Sequence, residues 1–150
     1  MLADRTPPPR IHNTGTDYVA IYLSLDRYRS WLEAHHPDPA LVPRVWVTGT
    51  AIARRFERHL GDLQRHHVRW VDVGDHSVAR VVSVVDHTVT LTVDEHTTGI
   101  ELLDASGRVI DRARQGPVLR YVVLLDADST GHWQVASVEP RLTNDVEVQL

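Results

Sequence analysis

Apolar residues in the first quarter of the chain recur at steps of three and four. Tyr18, Ile21, Tyr22, Leu25, Tyr28 and Leu32 form one such series, the spacing of a single buried stripe on a helix. It predicts a first helix over residues 17–36. Thr16 is the expected N-cap, Asp17 sits where the positive end of the helix dipole favours an acid, and Pro37 and Pro39 end the element. Asp26, Arg27, Arg29, Ser30 and Glu33 fall on the opposite, wet face. After Thr48 and Gly49 a second stripe, Ile52, Phe56, Leu60 and Leu63, predicts a helix of about four turns. Between the two, Leu41, Val42 and Trp46 indicate a helical turn or packed loop.

Past His67 the apolar period falls from 3.6 to 2, and β-branched residues dominate. Strands are expected over 68–73, 77–85, 88–103, 119–126 and 132–138, separated by turn residues at Gly74–Asp75, Asp86–His87, Ser106–Gly107 and Ser129–Gly131. Short connections imply a meandering antiparallel sheet, because parallel neighbours need long crossovers. Helices followed by such a sheet make an α+β architecture with the helices packed on one face.

A length of 150 residues suits one domain with a real core. Cysteine is absent, which excludes disulfides, thiolate metal centres and thiol nucleophiles. All 16 basic residues are Arg, so no lysine chemistry is available. A net charge of −4 argues against nucleic-acid binding. No apolar run has the length of a signal peptide or a membrane span, and the chain reads as soluble and cytoplasmic. Residues 1–15, with Pro7, Pro8 and Pro9, read as a flexible arm, and residues 141–150 alternate like an added strand.

Local patterns narrow the fold. Thr48-Gly49-Thr50-Ala51 opens the second helix, Thr90-Leu91-Thr92-Val93-Asp94-Glu95 lies in a long strand, Asp104-Ala105-Ser106-Gly107-Arg108-Val109-Ile110 forms a connector, and Gly131-His132-Trp133-Gln134-Val135 begins the last strand. Over residues 16–140 this order resembles the nuclear transport factor 2-like, or SnoaL-like, superfamily. The resemblance implies a curved sheet wrapped round a cone-shaped cavity, and self-association into dimers or larger oligomers. It does not imply one activity, since the superfamily holds enzymes as well as adaptors and assembly domains. Tyr22, Trp46, Phe56, Trp70, Tyr121 and Trp133 are the expected pocket residues.

The acid–base candidates are Asp72, Asp94 and Tyr121. Tyr121 shares a strand face with Leu119, Val123 and Leu125, and Asp72 shares one with Trp70. Asp94 and His96 lie opposite Val89, Leu91, Val93 and Glu95, so the apolar face takes Glu95 inward and leaves Asp94 outside unless the strand bends. The ten histidines lack chelating spacing, and no metal or cofactor is expected. Arg54, Arg55, Arg58 and Arg65 form one solvated helix face. No nucleophile elbow or phosphate loop occurs. The sequence therefore reads as a noncatalytic binding or assembly module that contacts a protein partner or a second copy through its sheet, cavity mouth or termini, with a small apolar molecule as a further ligand. Its rival is an isomerase, cyclase or hydrolase working inside the cone.

Overall fold

The computed structural model describes residues 4–114 and 118–140. Helix α1 (Tyr18–His35), a short 3-10 helix (Pro39–Arg44) and α2 (Ala51–His66) precede seven strands. These are β1 (Arg69–Val73), β2 (His76–Val85), β3 (Thr88–His96), β4 (Gly99–Leu103), β5 (Val109–Ala113), β6 (Leu119–Ala127) and β7 (Trp133–Pro140). Asp17, not Thr16, caps α1, its carboxylate accepting from the Ala20 N–H at 3.2 Å. Thr50 does the same for α2 through Ala53 N–H, also at 3.2 Å.

The architecture is α+β, with the two helices packed on antiparallel sheets. The expected single meander is instead two sheets, β2-β3-β6-β7 and β1-β4-β5. The run 88–103 breaks at Thr97 and Thr98, leaving β3 in one sheet and β4 in the other. The cause is one carbonyl: Val73 O accepts from Thr98 N at 2.9 Å and from the hydroxyls of Thr97 and Thr98 at 3.1 and 2.8 Å. Those bonds pin the end of β1 against the break, so β1 pairs with β4 and not with β2. Two glycines permit the bend. Gly74 has φ +68°, and a Cβ on Gly99 would lie 2.5 Å from the Ala113 carbonyl of β5. The connector 104–110 runs into β5, an element absent from the sequence reading.

The core lies between the helices and the inner face of the larger sheet. Val89, Leu91 and Val93 of β3 are fully buried with Leu25 and Leu32 of α1 and Leu60 of α2, as period-two and period-3.6 patterning require. Trp46 joins the layers, its segment pairing with β7 through Val135 N to Val45 O at 2.8 Å and Val47 N to Val135 O at 2.9 Å. The segment read as a flexible arm is fastened from Asp4 onward. Thr6 O accepts from the Trp31 indole at 3.0 Å, Ser24 Oγ bridges Arg10 O and His12 N, and Asn13 O accepts from Trp133 N at 2.8 Å. The expected strand over 141–150 lies outside the described residues.

Candidate functional site

A cavity of about 230 Å³ opens between α1, α2 and the sheets. Its apolar wall includes Trp46, Phe56, Trp70, Ile52 and Leu119, and its polar wall includes Asp26, Arg29, Glu33, Asp72 and Glu95 with the two tyrosines Tyr22 and Tyr121. Trp46 and Phe56 stack with centroids 4.1 Å apart, and His59 stands edge-on to Trp70 at 5.0 Å. The order of these residues follows from local geometry. On α1, Tyr22, Asp26, Arg29 and Glu33 are spaced by four, three and four, so one flank of the apolar stripe delivers them together. On β3 and β6 the inward alternation delivers Glu95 and Tyr121.

Arg29 is the hub. Its Nε donates to Asp26 Oδ1 at 2.9 Å, and its Nη1 donates to Glu33 Oε1 and to Asp72 Oδ2, the latter at 3.3 Å. Glu33 also meets His59 Nε2 at 2.7 Å, and the Trp70 indole donates to Asp72 Oδ1 at 3.3 Å. Arg29 Nη2 reaches Asp75 Oδ2 only at 3.9 Å and is left buried without a hydrogen-bond partner. Burial alone would depress the guanidinium's pKa, but the carboxylates of Asp26 and Glu33 outweigh it and raise it above its usual value.

Glu95 has no hydrogen bond or ion pair among the described residues. Directly across the strand pair stands Ser77, whose buried hydroxyl also lacks a partner. Burial, opposed by Arg29 and reinforced by Asp26, Asp75 and Asp72, pushes the Glu95 carboxyl up from 4.5 to about 7. Burial likewise raises Tyr121, with Glu95 adding to the effect, and raises Tyr22, with Asp26 adding. The arrangement can therefore hold or exchange a proton near neutral pH beside two phenol donors.

The raised Glu95 value fixes a sign. Between pH 4.5 and 7 the native protein holds a proton that the unfolded chain has released, so this group's contribution to stability is full below 4.5 and is lost as pH rises through 7. Chemical denaturation of wild type and Glu95→Gln across pH 4.5 to 8 is expected to show the variant gaining on wild type as pH rises. A constant difference across that range would contradict it.

The expected site residues divide. Asp72 and Tyr121 face the cavity together with Tyr22, Trp46, Phe56 and Trp70. Asp94 does not: it lies on the outer face with Val78, Arg80 and Thr92, 3.7 Å from Arg120, because β3 keeps its alternation through Glu95. Trp133 does not line the cavity either. It packs edge-on to Tyr18 at 5.3 Å, and its indole donates to Gly15 O at 3.2 Å. Arg55, assigned to the solvated helix face, borders the cavity mouth. Sequence reasoning missed Arg29 and Glu33, placing both on the wet face of α1. An available signal was Asp72, a carboxylate flanked by Trp70, Val71 and Val73 on a strand expected to face the core, where a buried acid needs a partner.

No helix among the described residues is long and apolar enough to cross a membrane. No family model matches the chain, and no curated protein does. Among solved structures the chain is similar to the intermembrane space region of the chloroplast protein ARC6, at 11% identity and a TM-score of 0.60, covering 88% of this chain and all of that one. Identity that low carries the fold alone, so the α+β arrangement is one that a distant sequence also adopts.

Proposed function

We propose that this chain is a noncatalytic binding module of the nuclear transport factor 2-like cone type, and that its working surface is the cavity mouth. One observation carries the reading. Trp46, Phe56 and Trp70 line an open space of about 230 Å³ instead of filling it, and a charged network is held at its edge. A concave space lined by aromatic residues with a few convergent polar groups is the usual form of a small-molecule site. The similar solved structure is itself one region of a larger protein, which accords with a module. A protein partner, or a second copy, has a separate surface: Val78, Val81, Val82, Val84 and Val85 are exposed along β2, which is an edge strand.

The test uses Trp46 and Trp70 as reporters. Titration of ring-sized aromatic molecules into the protein is expected to give a saturable change in tryptophan emission. Leu119→Trp, which fills the space from β6, is expected to abolish the saturable change while leaving the thermal transition within a few degrees of wild type. Saturation that survives in Leu119→Trp would place binding elsewhere, and the absence of saturation in wild type would remove the cavity's role.

A second reading, the acid–base enzyme, is favoured by Glu95, a cavity carboxyl poised at about 7 near Tyr121. It puts Glu95, with Asp72 in support, where Asp94 was expected. Turnover of carbonyl or epoxide substrates that rises with pH through 7 and disappears in Glu95→Gln would support it. Equal rates in both proteins would discard it.

A further inference from the structure

We propose that the cavity takes a ring-sized organic monocation, a protonated amine on a flat apolar body, with Glu95 as its counter-ion. The inference rests on the binding-module reading above and deepens it. Size comes first. A space of about 230 Å³ equals roughly eight waters at about 30 Å³ each, which admits one ring with a short substituent.

Charge comes second. Asp26, Glu33 and Arg29 face the space from α1, Arg55 from α2, Asp72 from β1 and Glu95 from β3, so four carboxyl groups oppose two guanidinium groups. Asp75, in the turn after β1, adds a further acid at 3.9 Å from Arg29, and His59 of α2 is held by Glu33. Arg29 is already engaged by Asp26, Glu33 and Asp72. Glu95 is the lining carboxyl left without a partner among the described residues, and an ammonium group supplies the donor it lacks. An anion entering here would meet uncompensated negative charge.

Shape comes third. Trp46, Phe56 and Trp70 offer aromatic surfaces on the wall, and such surfaces attract a desolvated cation as well as an apolar ring. Because the Glu95 carboxyl is held at about 7, binding a cation favours its ionised form and releases a proton below that pH.

The test compares three isosteric probes by calorimetry at pH 7.5: 2-phenylethylamine as the cation, 2-phenylethanol as the neutral form and phenylacetate as the anion. The cation is expected to bind at least tenfold more tightly than the alcohol, with phenylacetate weakest. Glu95→Gln is expected to cut the cation's affinity about tenfold and to leave the alcohol's unchanged. Should that variant fold poorly, wild type alone decides, since cation affinity is expected to fall severalfold between pH 7.5 and 5.5 while alcohol affinity stays level. Equal affinity for cation and alcohol, or preference for phenylacetate through Arg29, would overturn the inference and leave the binding-module reading standing. Failure of all three probes to bind at millimolar concentration would overturn both.

Discussion

Replacing Arg29 with Met is expected to destabilise the protein by about 3–5 kcal/mol at pH 7.5, the cost of removing one member of a buried ionic group. Its side chain is only 14% exposed and lies within 4 Å of Asp26, Glu33, Asp72 and Asp75. Methionine fills much of the volume, so the loss is electrostatic more than steric. Burial already raises the Asp75 and Glu95 carboxyls, and Arg29 opposes that rise in both. Without the guanidinium the two rise further above their unfolded values, so the native variant takes up protons that the unfolded chain releases, and it recovers stability as pH falls. Urea denaturation at pH 7.5 and 5.5 checks both parts. A loss below 1 kcal/mol, or one of equal size at the two pH values, contradicts the hub assignment. Against a whole-domain stability of about 5–15 kcal/mol, the expected loss brings the fold close to its limit. Arg29→Lys should fall between, since it keeps the charge but cannot donate to Asp26 and Asp72 from one planar fork.

Both helices were legible because burial of a helix stripe is a local matter: Ile21, Leu25, Tyr28 and Leu32 declare themselves by spacing alone. Val89, Leu91 and Val93 did the same for β3, and the same alternation already sent Glu95 inward and Asp94 outward. What local pattern could not carry was pairing. Gly74–Asp75 has the composition of a hairpin turn, and the run 88–103 has no proline or Asn-Gly break. Yet hydrogen bonds from Thr97 and Thr98 to Val73, 24 and 25 residues away, bend the chain into a second sheet. Arg29 was misread for a related reason. A charged residue beside an apolar stripe looks solvated until β1 arrives with Asp72, 43 residues later in sequence. The cavity itself is a gap between layers whose spacing no single segment specifies. Its aromatic wall residues Tyr22, Trp46, Phe56, Trp70 and Tyr121 could be named from the sequence, but the Arg29 and Glu33 that join them, and the convergence of the whole set, could not.

Truncating Trp46 to Ala is expected to cost about 3–5 kcal/mol, comparable to the Arg29 effect but independent of pH between 5.5 and 7.5. Trp46 is 2% exposed, stacks at 4.1 Å and 19° on Phe56, and sits on the segment whose backbone is tied to Val135 on both sides. Its removal therefore deletes buried aromatic area and loosens the join between the 3-10 helix, α2 and β7 at once. The two ties to Val135 use backbone atoms and survive the substitution, which limits relaxation and keeps the new void open. Trp46→Phe keeps a ring in the stack and should cost roughly 1–2 kcal/mol, because only part of the volume is lost. Denaturant unfolding of the three proteins at both pH values provides the measurement. A Trp46→Ala loss under 1 kcal/mol would mean that the neighbouring layers collapse into the space. In that event the adjoining cavity is not held open by a rigid frame, and its affinity for any ligand should change with the substitution far less than its walls imply.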